Sequence, residues 1–488
     1  MGLRHAAERG VPVGVAAVAA SYAYAGFTRE FVVAPVTRAF VRSSPDALLT
    51  FGITALGSTA QDLVLAAALA ATVGAFAAAG GLAAAFAHRL DRDWLGVPVG
   101  ALLAGGLGWL LVGPWEVGVV TGAAAAIVLG AFAVPRVGRA AGAQRRRVLR
   151  GAAGVVASAG VGSVLAAERT YEPRAAVRDP VAVDLLAAAD AASLPLSDAD
   201  PLVSRSFYEV DINVVNPRVA ADDWRLAVTG TGADATYDLD ALREFDVEHR
   251  FVTLRCVGDP LNGHKMDTAL WTGVPVRAVL ADAGAPENCC VMARATDGYY
   301  EEFPQPALRD GLLAFRMNGR PLPRAHGAPV RLLVPGHWGE INVKWLTELE
   351  LLDEPATGYW EQKGWHGTGP VNTVAKLHHA VRDGDRVTVG GHAYAGTRGV
   401  AAVEVSTDGG DTWREATLSE RLPGAHDAGG EQLRAHARDA WRQWRYEFTA
   451  SEKRDVVVRA VERDGTVQPR ERADAYPRGA TGWVSERV

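Results

Sequence analysis

The sequence predicts a multi-domain chain in which N-terminal transmembrane helices precede an α+β domain and a β-sandwich of antiparallel strands. Residues 1–170 are dominated by Ala, Gly, Val and Leu and contain long apolar stretches. From residue 204 strand patterns, turns and short helices alternate, and the last part of the chain follows the two-residue period of antiparallel strands. We assign residues 1–170 to a transmembrane anchor, 171–203 to a linker, 204–369 to the α+β domain and 370–488 to the sandwich.

Charge differs between the anchor and the body. Residues 1–170 contain 14 Lys and Arg against 8 Asp and Glu, which leaves 36 basic and 48 acidic residues in the remainder. An acidic body disfavours nucleic acid, because a polyanion is bound by clustered Lys and Arg that displace its counterions. We therefore expect no nucleic-acid partner.

Three cysteines occur in the chain, Cys256, Cys289 and Cys290. The last two are adjacent, and a bridge between them would strain the intervening peptide, so no disulfide framework is predicted. The sequence has no Cys-x-x-Cys motif or His/Cys cluster of the kind that holds zinc or an iron–sulfur centre. Any metal is therefore expected to be bound largely through a cofactor.

Five apolar stretches qualify as membrane spans, because about 20 apolar residues cross a bilayer as a helix whose backbone groups bond internally. They are residues 11–27, 63–87, 95–113, 115–134 and 151–167. The fifth is rich in Ala and Gly, and a buried helix is the alternative for it. This anchor makes membrane lipid an expected partner.

Basic residues in the short loops indicate the orientation of the anchor. The loop at 135–150 contains six arginines, whereas the loop at 113–116 contains none. With 135–150 in the cytoplasm, five helices place the body of the chain on the extracytoplasmic side of the cell membrane. Arg29, Arg38 and Arg42 in the first external loop oppose this orientation. The run RRRVLR in the basic loop looks like a twin-arginine export signal, and a cytoplasmic positive-inside cluster explains it equally well.

The most informative stretch surrounds Cys256. The strand-like run FVTL delivers this cysteine to its end, and a loop rich in Gly, Pro and Asn follows. Arg255 and Lys265 are expected to favour the thiolate, which is the form that ligates a metal or attacks a substrate. An ordinary buried residue is the alternative for a single cysteine in such a loop.

Further motifs follow Cys256 in a fixed order: WTGVP, MNGRPLP, HGAPVRL, a VPG turn and VKWL. With them the chain resembles the sulfite-oxidase family of molybdopterin enzymes over about 204–488, and its N-terminal spans are similar to those of the membrane-anchored bacterial and archaeal branch. The resemblance implies a sulfite-oxidase-type molybdopterin-binding domain, a molybdenum–molybdopterin cofactor and Cys256 as the catalytic cysteine and protein ligand of the metal. Soft thiolate sulfur suits that metal.

The same resemblance implies which residues bind the cofactor. The phosphate of the pterin calls for fixed cations and backbone N–H groups. Arg331 and Lys344 are the expected cations, and Asn342 and Val343 are expected to offer backbone. The residues expected to line the pterin are Tyr208, Glu209, Thr296 and His326. Taken singly, each has an alternative as a surface or strand residue.

The expected substrate pocket departs from that of the animal and plant sulfite oxidases. Asp211 and Asn213 stand where those enzymes have Arg and His, so an anion-binding charge is missing. Gln362 stands where they have a pocket Tyr. Arg398 matches a second anion-binding Arg and is the expected substrate contact, with a surface salt-bridge partner as its alternative.

The C-terminal module contains the strand patterns RVTVGGHAY, VAAVEVSTDGG, WRYEFTA and DVVVRAVERDG, separated by turns. It resembles the immunoglobulin-like dimerisation domain that follows the cofactor domain in this family, and a homodimer is expected by that analogy. The polar insert 421–440 is expected to be an exposed loop.

Together these features predict a molybdenum-cofactor oxidoreductase that transfers an oxygen atom and two electrons on a small-molecule substrate, as sulfite oxidase does. Reduction of a sulfoxide or N-oxide at the same site is the alternative, and a metal-free, membrane-tethered binding protein is the rival from another class. The anchor histidines, His5 and His88, are not placed as a pair that could ligate a haem. Electrons are therefore expected to pass to an external electron-transfer partner.

Overall fold

A computed structural model of the protein describes residues 3–52, 56, 58–133, 179–213 and 215–488. The chain divides into two compact units, and each is described by itself. The first contains the N-terminal helices together with residues 211–218. The second contains the rest of the chain from residue 174.

The N-terminal unit is helical. Its helices are α1 Leu3–Ala25, α2 Ala34–Ser43, α3 Asp46–Phe51, α4 Ser58–Arg89, α5 Gly96–Val112 and α6 Trp115–Ala133. Helices α5 and α6 approach closely at Gly105 and Gly118. A β-carbon on Gly105 would lie 2.9 Å from the carbonyl oxygen of Gly118, and a β-carbon on Gly118 would lie 2.9 Å from the carbonyl oxygen of Gly105. Small residues at such crossings are a common means of packing helices in lipid.

Three described helical segments are long and apolar enough to cross a membrane, by length and composition alone: Thr59–Arg89, Asp93–Val112 and Trp115–Ala133. They coincide with the second, third and fourth predicted spans. The first, 11–27, lies largely within helix α1, which is not among these three segments. The fifth, 151–167, and the arginine-rich loop 135–150 lie outside the described residues.

The segment predicted as a linker contains a helix, α7 Pro180–Ala191. Pro180 occupies its first turn, and the Asp179 side chain caps the helix by accepting from the backbone N–H groups of Val181 and Ala182. Ala182 and Leu185 are buried within the second unit. The predicted linker is thus partly helical, because the Asp, Pro and Ala that favour a linker also serve as the cap, first turn and body of this helix.

Two sheets form the α+β domain. The first has the order β2-β1-β10-β5-β6, in which β1 and β10 are parallel and the other pairs antiparallel. Its strands are β1 Arg225–Gly230, β2 Ala235–Asp238, β5 Cys290–Ala295, β6 Tyr300–Pro304 and β10 Leu346–Leu352. The short helices α8 Leu239–Arg243 and α9 Val276–Asp282 accompany it. Their apolar residues share one core with Trp224, Phe303 and Leu332.

The second sheet delivers Cys256. Its strands are β3 Glu248–Arg255, β4 Met266–Pro275, β7 Leu312–Met317, β8 Arg320–Pro321 and β9 Arg331–Leu333. All residues of β3 are buried, and the C-terminal domain contributes to this burial. The Tyr394 hydroxyl donates to the Thr253 carbonyl oxygen at 3.0 Å, and the Trp441 N–H donates to Oγ1 of Thr253 at 2.9 Å. The strand before the cysteine is therefore held from both domains.

The C-terminal domain contains two antiparallel sheets that pack together, as the strand period predicts. One contains β11 Val374–Ala375, β12 His379–Asp383, β13 Arg386–Tyr394, β16 Thr417–Leu418 and β18 Arg442–Thr449. The other contains β14 Val400–Ser406, β15 Arg414–Glu415, β19 Asp455–Glu462 and β20 Val484–Arg487.

The insert 421–440 is only partly an exposed loop. Residues 428–433 are exposed, but strand β17 His426–Asp427 pairs with β3, and Asp439 is buried beside Val252. The prediction is wrong for the ends of the insert because their polar side chains are satisfied inside the protein. Asp439 accepts hydrogen bonds from the Tyr394 hydroxyl and from the Gly336 N–H.

Cys289 and Cys290 form a disulfide, contrary to the sequence-based expectation. Their Cα atoms lie 3.7 Å apart, the spacing of an ordinary trans peptide. Cys289 is exposed just before β5, whereas Cys290 begins that strand. The chain bends at this point, so the two side chains can meet without a cis peptide.

Candidate active site

Cys256 lies immediately after β3, half-buried and with a free thiol. Its backbone N–H donates to the carbonyl oxygen of Lys265 at 3.0 Å, and its carbonyl oxygen accepts from the N–H of Asp259 at 3.1 Å. These bonds close the loop that joins β3 to β4. The thiol is thereby fixed at the end of a rigid strand, as the sequence predicts.

A buried charge cluster holds this loop. The Asp259 carboxylate accepts from the Lys376 ammonium and, at 2.9 Å, from the Lys265 N–H, and Arg255 lies 3.6 Å from it. Lys376 also donates to the carbonyl oxygen of Gly263 at 2.6 Å. Although burial alone would raise the pKa of Asp259, the charges of Lys376 and Arg255 lower it below its ordinary value. Sequence reasoning missed this pair because it joins residues 117 positions apart.

The ionisation of the thiol follows from this arrangement. Burial raises the pKa of Cys256, whereas the charge of Lys265 and the Gly258 N–H lower it. Lys265 therefore acts as predicted but does not prevail. Arg255 also attracts the thiolate, but its interaction with Asp259 is larger, and its guanidinium donates to the carbonyl oxygen of Asn372 at 2.9 Å.

Tyr208 lies beside the cysteine. A β-carbon on Gly339 would be 2.9 Å from the Tyr208 hydroxyl and 3.7 Å from the Cα of Cys256, so only glycine fits between them. The Tyr208 N–H donates to Asp267 at 2.7 Å. Burial, followed by the charge of Cys256, raises the pKa of Tyr208 well above its ordinary value, so the phenol stays protonated.

A cleft of about 390 Å³ opens beside Tyr208 and is also lined by His264, Met266 and Asp267. Burial raises the pKa of Asp267 to about 7, against the hydrogen bonds that it accepts from Ser204 and from the Tyr208 N–H. The strand after the cysteine loop therefore borders solvent on this side. Asp267 carries no sequence signal of its own, because its role depends on its contact with residue 208.

Two predicted cofactor-binding cations, Arg331 and Lys344, lie close together beside Gly327. Arg331 is 4% exposed and donates to the carbonyl oxygens of His326 at 3.2 Å and Asn342 at 3.0 Å. Lys344 is half-buried and donates to the carbonyl oxygen of Ala325 at 2.9 Å. These hydrogen bonds with backbone carbonyls place both positive charges around one short turn.

Both cations act on the pKa of the neighbouring His326. Burial and then the charges of Arg331 and Lys344 lower the pKa of His326 to about 3. The imidazole is therefore neutral at physiological pH. Its ring lies 5.5 Å from that of Phe207, the residue before Tyr208.

Asn342 and Val343 are buried. The Asn342 amide accepts from the Val334 N–H at 2.7 Å and donates to the carbonyl oxygen of Trp338 at 2.8 Å. Its backbone N–H donates to Gly339 at 3.2 Å. These bonds shape the turn between Arg331 and Lys344, and a direct contact of Asn342 or Val343 with a phosphate stays a prediction.

Thr296 and Glu209 differ in their surroundings. Thr296 is half-buried, and its N–H donates to the carbonyl oxygen of Trp345 at 3.0 Å, next to Lys344. Glu209 is exposed. Thr296 thus borders the cationic turn, while the role of Glu209 in lining the pterin stays a prediction.

Arg398, the expected substrate contact, is held by other residues of the protein. Its Nε donates to Glu462 at 2.9 Å, and its terminal nitrogen donates to the carbonyl oxygen of Val371 at 2.8 Å and to Oγ1 of Thr373 at 3.0 Å. The ion pair offsets its charge. Gln362 is exposed and donates to the Tyr300 hydroxyl at 2.8 Å.

Asp211 and Asn213 group with the N-terminal helices rather than with the second unit. The departure from the family's Arg and His at these positions remains a feature of the sequence.

The side chains around Cys256 fit the predicted cofactor. Cys256 is half-buried and offers one soft sulfur, and the two cations Arg331 and Lys344 suit a phosphate. Among the residues that the structure describes, no group of three or more His, Cys, Asp or Glu side chains is arranged to hold a metal ion. A metal at Cys256 would thus take its remaining ligands from a cofactor rather than from this part of the protein.

The chain is similar to known molybdopterin-dependent proteins in two regions. Residues 213–360 match the oxidoreductase molybdopterin binding domain, and residues 370–477 match the Mo-co oxidoreductase dimerisation domain. Mitochondrial sulfite oxidase of Homo sapiens is 31% identical over 307 residues, which cover 52% of this chain and 54% of that protein. Inducible nitrate reductase [NADH] 1 of Glycine max is 27% identical over 273 residues, covering 41% of this chain and 30% of that protein.

Among solved structures, the sulfane dehydrogenase SoxCD from Paracoccus pantotrophus aligns with a TM-score of 0.47 and 21% identity, over 57% of this chain and 78% of that chain. The chain spans about half the length of the sulfite oxidase it matches, 54% for the human protein. The chain belongs to the sulfite-oxidase family of molybdopterin-dependent oxidoreductases. The predicted family, enzyme class and cofactor are thereby confirmed.

Proposed function

We propose that the chain is a membrane-anchored molybdenum enzyme that oxidises sulfite or a related small sulfur oxyanion by oxygen-atom transfer. The observation that carries the proposal is the half-buried, free thiol of Cys256 at the end of β3, with Tyr208 beside it. Arg331 and Lys344 supply the buried positive charge that a pterin phosphate requires.

Each residue has a role in that proposal. When bound, the cofactor supplies the oxygen-atom transfer and accepts two electrons. Cys256 holds the metal from a fixed strand end, and Arg331 and Lys344 hold the phosphate tail. Tyr208 keeps its proton and can donate a hydrogen bond near the reacting atoms, since burial raises its pKa. Neutral His326 adds no positive charge to the pocket.

The ion pair of Arg398 favours a second candidate reaction. An anionic substrate is stabilised by free positive charge, but Glu462 offsets the charge of Arg398. A neutral sulfoxide or N-oxide needs no such charge. Reduction of such a substrate at the same site is therefore our second candidate reaction.

Steady-state assays separate the two reactions. Sulfite with ferricyanide as the electron acceptor tests oxidation, and methionine sulfoxide with a reduced viologen dye tests reduction. Sulfite turnover with a much larger kcat/KM than that for the sulfoxide supports the first proposal. The opposite ratio supports the second.

The metal itself is tested by elemental analysis. We expect about one molybdenum per wild-type chain and almost none in Cys256→Ser. The double variant Cys289→Ser/Cys290→Ser, which replaces sulfur by oxygen outside the site and removes the disulfide, is expected to keep its metal. Wild-type protein without molybdenum after expression in a molybdate-supplied host would favour the rival, a tethered binding protein.

Membrane attachment rests on the three apolar helical segments. Their outer surfaces carry large exposed apolar residues, among them Leu102 at 76%, Leu110 at 77% and Trp115 at 67% exposure. Exposure of such an apolar surface to water is unfavourable, and lipid would cover it. We propose that the catalytic body lies on the extracytoplasmic side, and protease accessibility of intact spheroplasts is the test. Protection of the body until the membrane is permeabilised would refute this orientation.

The match of residues 370–477 to a dimerisation domain leads us to propose a homodimer with an immunoglobulin-like C-terminal domain. Light scattering of the detergent-solubilised chain, corrected for bound detergent, tests the dimer. Electrons would pass singly to an external partner, and a haem protein that co-purifies and is reduced by substrate would identify it.

A further inference from the structure

Two buried carboxyl groups are not among the residues predicted to hold the cofactor. Glu301 lies on β6 and is 0% exposed, and Glu340 lies in the turn Gly339–Ile341 and is 6% exposed. Gly339, the residue before Glu340, is the glycine that packs against Cys256. The two carboxyls therefore lie behind the turn that borders the thiol.

Their hydrogen bonding is incomplete among the described residues. Oε1 of Glu301 and both side-chain oxygens of Glu340 are buried without a hydrogen bond of good geometry. A buried, ionised carboxylate in that state would be costly, because each oxygen has lost its water and gained no donor. A carboxyl group that keeps its proton avoids most of this cost.

The contacts of Tyr299 point to the same protonation state. Its hydroxyl oxygen lies 3.0 Å from Oε2 of Glu301 and 2.8 Å from the carbonyl oxygen of Glu340. One hydroxyl proton can satisfy only one of these two acceptors. If Tyr299 donates to the carbonyl oxygen, a proton on Glu301 completes the other hydrogen bond by donation to the Tyr299 oxygen.

Glycine backbone encloses both carboxyls. A β-carbon on Gly358 would overlap Oε1 of Glu301, and one on Gly367 would overlap Oε2 of Glu340. Burial, and then the charge of Glu340, raises the pKa of Glu301 to about 9. Burial raises the pKa of Glu340 to about 8, which the Gly367 N–H only partly opposes.

The charged and titratable groups that act on this pair are mostly acidic. They are Tyr299, Glu361 and Cys256, while Asp297 acts on Tyr299. Glu361 is half-buried, and its Oε2 accepts from the Gly358 N–H at 2.8 Å. The acidic groups thus extend from the neighbourhood of the thiol to a residue that reaches solvent.

We propose that Glu301 and Glu340 both hold a proton at neutral pH and relay protons from the site around Cys256 to Glu361 and the solvent. This inference rests on the proposed oxidation. In that reaction the sulfur substrate and one water give the oxidised product, two protons and two electrons, and a one-electron acceptor such as ferricyanide removes the electrons in two steps. The pair supplies a place for a released proton inside the protein.

Infrared spectroscopy tests whether the two carboxyls are protonated, independently of activity. Wild-type protein at pH 7 is expected to show the C=O stretch of a buried, protonated carboxyl, which disappears as the pH is raised to 10. Glu301→Gln and Glu340→Gln should each reduce this band. Glu350→Gln should leave it unchanged, because Glu350 is on the surface, paired with Arg294. Absence of the band from wild-type protein at pH 7 would refute the protonation of Glu301 and Glu340.

Kinetics test the relay. A positioned acid or base contributes about 10²–10⁴-fold to a rate, so we expect Glu340→Gln to lower kcat for sulfite about 10²-fold with an unchanged KM. Small weak acids in the buffer should restore part of the rate, and Glu350→Gln should behave as wild type. A Glu340→Gln enzyme with wild-type kcat and solvent isotope effect would refute the relay, whatever its thermal stability. If wild-type protein does not oxidise sulfite, the proposed function and the relay both fail. The infrared band still reports whether Glu301 and Glu340 are protonated.

Discussion

Replacing Lys376 with methionine removes the buried ammonium that holds the cysteine loop. Lys376 is fully buried and donates to Asp259 and to Gly263, so its loss leaves a buried carboxylate short of one partner. Methionine has a similar length and apolar stem, and therefore replaces most of the packing. The substitution isolates the charge.

The magnitude follows from the remaining contacts. Breaking a buried ion pair from one side costs about 3–5 kcal/mol, because the other charge stays buried. Asp259 keeps Arg255 at 3.6 Å and the Lys265 N–H at 2.9 Å, which places the loss near the lower end, about 3 kcal/mol. For a unit of this size such a loss lowers Tm by roughly 6–9 °C.

Thermal unfolding of the detergent-solubilised chain, together with its molybdenum content, measures the effect. We expect Lys376→Met to lower both Tm and metal content, because Cys256 loses its fixed position. The double variant Lys376→Met/Asp259→Asn should lose less Tm than the sum of the two single variants, because each single variant leaves a buried charge of the pair without its partner. Additive losses in the double variant, or a single variant with wild-type Tm, would refute the role of the pair.

Arg331→Met is expected to lower the molybdenum content about tenfold, since a hydrogen bond to a charged group contributes about 1.5–3 kcal/mol; full occupancy would contradict its role at the phosphate. Glu462→Gln should free the charge of Arg398 and lower the KM for sulfite by roughly threefold, on the scale of a partly exposed ion pair of about 0.2–1 kcal/mol, with no change for methionine sulfoxide. Stability should also depend on pH. Because Glu301 and Glu340 have folded-state pKa values of about 9 and about 8, above the ordinary 4.5, their neutral forms stabilise the fold fully below pH 4.5, and this contribution is lost as the pH rises through 8 to 9. Tm should thus fall by about 5 °C or more between pH 6 and 9, and a flat profile would show that the two carboxyls are ionised throughout.

The sequence alone was sufficient for the features that depend on local pattern. Apolar length predicted the helices over 63–87, 95–113 and 115–134, because a helix bonds its own backbone and needs no distant partner. The strand run FVTL placed Cys256 at a strand end, and the ordered motifs around it identified the family. Pattern also predicted antiparallel strands in the last part of the chain.

Pattern failed where the same residues serve two local structures. The Asp and Pro at 179 and 180 favour a linker in the sequence, but they cap the helix that the structure shows. The polar insert 421–440 was expected to be exposed because its charged residues favour water. Its ends instead bury Asp439 against Tyr394, a contact that the sequence does not announce.

Electrostatics around the thiol required the tertiary structure. Arg255 adjoins Cys256 in the chain, yet its charge is directed to Asp259, since successive residues of a strand point to opposite faces. Lys376, which holds the same carboxylate, comes from the C-terminal domain. Likewise Glu301 and Glu340 become a proton-holding pair only through burial and their shared contact with Tyr299. Local pattern thus determined the elements and the family, whereas burial and long-range charge contacts determined which groups around the cysteine are ionised.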